Sequence, residues 1–149
     1  MKKLLLLFAT SSLIFAKSTI ELHQSPFCGC CGRWAKYMQD QGYTVKIHKS
    51  SEFYKLKEEL DIKTQYQSCH TALVEGYAIE GHVPESAISW LLKERPKDVI
   101  GISTPGMPIG SPGMEQGDVQ EEYAVIIMLK DGSYKVYGIY RGDVLIKKG

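Results

Sequence analysis

The chain has 149 residues, 44% of them apolar and 23% charged, with a formal net charge of +1 at pH 7. This is the make-up of a soluble globular protein, and the lack of any long basic block excludes a nucleic-acid-binding surface. Its four cysteines are too few, and too clustered, to form a disulfide scaffold.

The N-terminus reads MKKLLLLFATSSLIFAKS. Lys2 and Lys3 give a basic start, and residues 4–15 an apolar run broken only by Thr10, Ser11 and Ser12. Ala16 is small enough for cleavage. The pattern predicts a secretory signal over residues 1–16, too short for a comfortable membrane span. Its removal takes the net charge from +1 to −1. About 130 residues then remain, enough for one domain with a sizeable core. The expected organisation is a signal peptide at 1–16 and a single domain over 17–149, with no membrane span in the mature chain.

Residues 19–23 (TIELH) alternate and predict a strand. The segment SPFCGCCGRW follows directly. From Cys30 to Gln41, Cys31, Trp34, Ala35 and Met38 mark one helical face, and Gly42 suits the left-handed position that stops a helix. Residues 43–48 (YTVKIH) alternate as a second strand. Ser50 and Ser51 are capping residues for a helix with Phe53, Leu56 and Leu60 on one face. After Ser68-Cys69-His70-Thr71, residues 72–74 and 77–80 form two strands joined by a Glu75-Gly76 turn. Pro84 fits the first turn of a third helix. Ala87, Ile88, Leu91 and Leu92 are its buried stripe, and Pro96 ends it.

That order is βαβαββα, the order of a thioredoxin or glutaredoxin core. The expected class is therefore α/β, a thioredoxin-like core with two additions. Residues 98–121 read as a long Gly/Pro-rich loop carrying PGM twice, at 105–107 and 112–114. Residues 123–140 read as a C-terminal β-hairpin turning at Asp131-Gly132, adding to the sheet or covering an edge.

Three thiols, Cys28, Cys30 and Cys31, fall within four positions at the start of a predicted helix. Unpaired N–H groups and the helix dipole favour thiolate there, which is both nucleophile and metal ligand. Cys28 and Cys31 make a C-x-x-C pair suited to disulfide exchange, but Cys30 could scramble it. Three thiolates repel unless a cation lies between them. Thiolate and imidazole together suit copper, Cu(I) above all, and zinc accepts the same donors. Cys28, Cys30, Cys31, Cys69 and His70 are the candidate ligands. Adjacent residues of an extended segment point to opposite sides. Cys69 and His70 can therefore share one ion only if the backbone turns, or if the site holds more than one ion.

These motifs carry a resemblance. Cys28-Gly29-Cys30-Cys31-Gly32 with Trp34, Ser68-Cys69-His70-Thr71, Ile79-Glu80-Gly81-His82-Val83-Pro84 and the PGMPIGSPGME of residues 105–115 together resemble the CopG-like family of small secreted copper-resistance metal-binding proteins, a domain-of-unknown-function family. The resemblance implies a thioredoxin-like fold, copper binding through the CxCC and Cys-His motifs, and a periplasmic role in copper tolerance by sequestration or transfer. Other periplasmic copper-handling proteins are the expected partners, besides copper ions themselves. A redox contribution is compatible with thiolates and copper exchanging electrons. The principal alternative is a thiol–disulfide oxidoreductase using Cys28 and Cys31. A third reading is a zinc-stabilised interaction module.

Plainer roles stand beside these. The four cysteines could form two structural disulfides, Cys28–Cys31 and Cys30–Cys69. His82 is open between orienting a ligand and capping the following helix. Met107 and Met114 are more simply loop anchors than thioether donors. His23 and His48 read as structural or solvent-facing, and Met38 and Met128 as core.

Overall fold

The computed structural model describes residues 17–149, so the expected signal segment, residues 1–16, lies outside the described residues. The elements run β1 (Thr19–Gln24), α1 (Gly29–Asp40), β2 (Thr44–Lys49), α2 (Lys55–Glu59), a 3-10 turn (Thr64–Tyr66), β3 (His70–Val74) and β4 (Tyr77–Glu80). They continue with α3 (Glu85–Glu94), β5 (Val99–Ser103), β6 (Glu122–Leu129), β7 (Tyr134–Arg141) and β8 (Val144–Lys148). The strands form one eight-stranded sheet in the order β2-β1-β3-β4-β5-β6-β7-β8. Only β1–β2 and β4–β5 are parallel; all other neighbours are antiparallel.

The helix α1 buries the four residues its periodicity marks: Cys31, Trp34, Ala35 and Met38. It ends as its glycine predicts. Gly42 adopts φ +94°, its N–H donates to Gln39 O, and the next N–H, of Tyr43, donates to Met38 O. These two bonds satisfy carbonyls that the last turn would otherwise leave open. In α3, Ala87, Ile88 and Leu91 are buried and Leu92 is half-buried. Both helices pack against Ile20, Leu22, Ala72, Val74, Ile79 and Ile102 in the main core.

Side chains alternate across a strand, so Ala78 faces the other way from Ile79. It joins Ile62, Tyr66, Ile126 and Met128 in a smaller core. Met38 and Met128 are both core residues, as expected.

Four expectations about the elements need correction. The second helix spans only Lys55–Glu59. Phe53, Leu56 and Leu60 are only half-buried, and its buried residue is Lys57, 3% exposed. Ser50 accepts the Glu52 N–H at 3.0 Å, but this caps a turn ahead of the helix. The segment 98–121 is not all loop, because β5 lies within it. Gly101 lets β5 meet β4: a Cβ there would lie 1.8 Å from Ala78 O. That glycine, set between Pro96 and Pro105, hid the strand's alternation. Finally, β8 follows the predicted hairpin and pairs with β7. The hairpin adds to the sheet through β5.

Candidate metal centre

Three parts of the chain meet at the N-terminus of α1. Cys28 is its N-cap residue, in extended conformation and without a side-chain cap, and Gly29, Cys30 and Cys31 form the first turn. Only Cys31 of these thiols is fully buried, because it continues the apolar face of Trp34 and Ala35. The second part is Cys69, at a bend just before β3. The third is His82, which follows β4 after Gly81, a glycine at φ +75°.

Cys69 lies at the middle. Its Sγ is 3.6 Å from Cys31 Sγ, 3.9 Å from Cys30 Sγ, 3.4 Å from His70 Nδ1 and 3.0 Å from His82 Nε2. Cys30 Sγ is 3.5 Å from Cys28 Sγ. The four sulfurs lie within 4.8 Å of one another, and so do the donor atoms of Cys69, His70 and His82. Cys69 belongs to both groups. The bend lets Cys69 and His70 reach the same side of the sheet, which the extended chain would forbid.

Cys28 and Cys31 are joined by a disulfide, whereas Cys30 and Cys69 are free. Of the two bridges weighed for a structural pairing, only the first is formed. In this state two sulfurs are withdrawn from thiolate chemistry.

Both imidazoles are buried. His70 packs on Trp34, with ring centroids 4.7 Å apart, and edge-on to His82 at 5.0 Å. His82 Nδ1 is 2.8 Å from Pro112 O. A carbonyl only accepts, so Nδ1 carries the proton and Nε2 turns its lone pair to Cys69. Burial holds the His70 pKa well below the ordinary histidine value, helped by His82 and Lys57. Burial lowers His82 too, against the Pro112 hydrogen bond. Both rings are therefore neutral at pH 7, the form that binds metal. Burial, and then Cys30, push the Cys69 thiol up to about 12.

The donors fit a soft metal ion. Thiolates and neutral imidazoles are the ligands that select copper(I) or zinc. His70 turns Nδ1 to Cys69 Sγ, at 3.4 Å, which makes Nδ1 its donor atom toward such an ion; its Nε2 is buried with no hydrogen-bond partner. A cation would also reverse the rise at Cys69, since a coordinating thiol is deprotonated outright.

The loop after β5 covers the site. Gly113 has φ +85°, and a Cβ there would lie 2.7 Å from Trp34 N and 3.0 Å from Cys30 O. Arg33 Nε donates to Gly113 O at 2.9 Å. The backbone of the second PGM therefore sits on α1 and brings Pro112 to His82. Met107 is 53% exposed and Met114 half-buried. His23 and His48 stack on each other at 4.7 Å on the β1–β2 pair, and His48 bonds Glu21.

All five sequence-derived candidates, Cys28, Cys30, Cys31, Cys69 and His70, thus converge. Sequence reasoning left His82 open between orienting a ligand and capping the following helix, outside the ligand set. Its signal was present in the Glu80-Gly81-His82 motif, but spacing alone could not bring it to Cys69.

The family described as "Protein of unknown function, DUF411" matches residues 66–114, a stretch containing Cys69, His70, His82 and Pro112. No curated protein matches the chain. One solved structure, "Copper resistance protein copG- Form 2", is 36% identical with a TM-score of 0.78, over 83% of this chain and 98% of that one. "Copper resistance protein copG- Form 1" is also 36% identical, with a TM-score of 0.77, over 83% and 97%. The sulfur cluster, the Cys-His bend and a likeness that spans most of both chains lead to one conclusion: this chain belongs to the DUF411 family of copper-resistance-related proteins.

Proposed function

We propose that the protein is a periplasmic copper-binding protein that acts in copper tolerance by sequestering or transferring copper. The observation that carries this reading is the position of Cys69, within 3.9 Å of two sulfurs and 3.0 Å of an imidazole nitrogen. Sulfur-rich donors favour Cu(I) over harder ions. The ligands are Cys28, Cys30, Cys31, Cys69 and His70, with His82 beside them. Two donor groups sharing Cys69 are what a site for more than one ion requires.

The Cys28–Cys31 disulfide gives the site a redox dependence. Two electrons and two protons reduce it to two thiols, which restores four cysteine donors. Oxidation removes two of them.

The reading includes a thioredoxin-like core. Supporting it are the order β2-β1-β3-β4, a parallel β1–β2 pair, antiparallel β1–β3 and β3–β4 pairs, and a first helix that starts at the cysteine motif. The periplasmic assignment rests on the Lys2-Lys3 start and the apolar run that follows. In that setting residues 17–149 are the mature, single-domain protein. No described helix is long and apolar enough to cross a membrane.

A second reading is a thiol–disulfide oxidoreductase using Cys28 and Cys31, favoured by the disulfide at a helix N-terminus. Metal analysis and thiol counting on aerobically purified protein separate the readings. Copper with reduced thiols supports copper binding. No metal, an oxidised Cys28–Cys31 pair and turnover of a disulfide substrate support the oxidoreductase. Stoichiometric zinc whose removal unfolds the protein supports a structural zinc module.

A further inference from the structure

A buried ion pair is bonded to the residue just before Cys69. On the sheet face opposite α1, Lys57 Nζ and Glu80 Oε1 pair at 2.5 Å, with side chains 4% and 0% exposed. Lys57 also donates to Thr71 Oγ1 at 2.8 Å. Thr71 Oγ1 donates to Glu80 Oε2 at 2.6 Å. The backbone N–H of Ser68 donates to Glu80 Oε1 at 2.7 Å.

A buried ion pair is weak evidence for stabilisation, since an apolar pair of similar volume is often as stable or more so. What an apolar pair cannot supply is an acceptor for the Ser68 N–H. Ser68 immediately precedes Cys69. On the other side of Cys69, His70 O accepts from Gly81 N at 3.0 Å. The bend is therefore held at both ends by two consecutive residues, Glu80 and Gly81. Gly81 lies against the Ser68 side chain: a Cβ on Gly81 would lie 2.4 Å from Ser68 Cβ. Ser68 Oγ in turn donates to Gly106 O.

We propose that Lys57 and Glu80 are positioning residues for the metal centre, fixing the Ser68-Cys69-His70 bend so that Cys69 reaches Cys30, Cys31 and His82. Glu80 holds the bend, and Lys57 neutralises and orients the carboxylate from beneath. The same role explains why α2 turns its lysine inward and leaves its leucines half-exposed. The inference rests on the copper reading of the site, and its test is arranged so that the two can fail separately.

With Cys28→Ser and Cys30→Ser in place, Cys31 and Cys69 are the only thiols left. Their disulfide equilibrium in a glutathione buffer then reports how closely they are held, with no metal present. The pair is next replaced by Lys57→Met with Glu80→Leu. Positioning predicts that the melting temperature stays close to that of the parent. It also predicts that the Cys31–Cys69 effective concentration falls roughly tenfold or more, the scale of a lost hydrogen bond to a charged group. In the otherwise native, reduced chain, Cu(I) affinity against a chromophoric chelator falls with it. Parent-like values of both readouts in the folded apolar variant overturn the proposal. Should that variant not fold, Glu80→Gln decides by the same readouts, with a smaller fall expected and no fall overturning it. If the unsubstituted protein binds no copper, the copper reading fails, and the thiol equilibrium alone still decides the positioning role.

Discussion

Cys69 Sγ lies 3.0 Å from His82 Nε2, although two strands, β3 and β4, separate them in the chain. The opposite ring nitrogen is held by Pro112 O, so the ring cannot swing away without losing a buried bond. His82 belongs to the metal centre on this geometry, either as a ligand or as the group that orients Cys69. His82→Ala should lower the Cu(I) affinity of the reduced protein roughly ten- to a hundredfold, the range for groups that support metal ligands. Competition with a chromophoric chelator measures this. Unchanged affinity would leave His82 as a structural residue ahead of α3.

The loop over α1 gives a second prediction. Gly113 has backbone atoms of Trp34 and Cys30 where a Cβ would go, and backbone cannot yield as a side chain can. Gly113→Ala should lift the loop, free His82 from Pro112 and weaken metal binding. Gly117 is the control. It also has a positive φ, +58°, but nothing lies within 4 Å of its Cβ position. Gly117→Ala should cost about 1–2 kcal/mol of stability and leave copper binding alone. Urea melts and copper titrations on both variants check this, and equal copper affinities would contradict it.

What the sequence revealed and hid follows from which forces are local. The face of α1 and its Gly42 stop are local patterns, and both were readable. The alternation of residues 77–80 was equally plain. Lys57 was not readable, because its burial in α2 depends on Glu80, which comes from β4. The β5 strand was hidden because the packing that demands Gly101 comes from Ala78. At the site the thiol cluster was evident from spacing alone. The convergence of His82 required the Gly81 turn and the carbonyl of Pro112, which only tertiary structure supplies.

Cys30 separates metal binding from disulfide exchange. It lies outside the Cys28–Cys31 bridge yet within 4 Å of both Cys28 and Cys69 sulfurs. Cys30→Ser should leave the disulfide able to form while lowering copper stoichiometry or affinity. Thiol counting and metal analysis on the same sample read both. Undiminished copper binding would make Cys30 a bystander.

A pH effect is expected away from the centre. Glu85 accepts hydrogen bonds from Lys17 at 2.6 Å, from Ser89 and from Tyr43. Burial pushes its pKa up, but the Lys17 and Ser89 bonds outweigh this and hold it below the ordinary value. A depressed folded-state pKa gives stability that is present above the unfolded value, about 4.3 for glutamate, and lost as pH falls through the folded one. Glu85→Gln should therefore be less stable than the native chain at pH 7, and the gap should narrow below about pH 4. Denaturant melts across that range test it. A gap that does not change with pH would mean the ionised carboxylate adds nothing.

The central claim is that these cysteines bind copper together through Cys69. X-ray absorption at the copper edge, on the fully reduced protein loaded with Cu(I), tests it most directly. The account predicts copper bound mainly by sulfur with a nitrogen contribution, and a loss of sulfur scattering and of bound copper in Cys69→Ser. Copper held by nitrogen and oxygen alone, or an unchanged spectrum and copper content in Cys69→Ser, would contradict it.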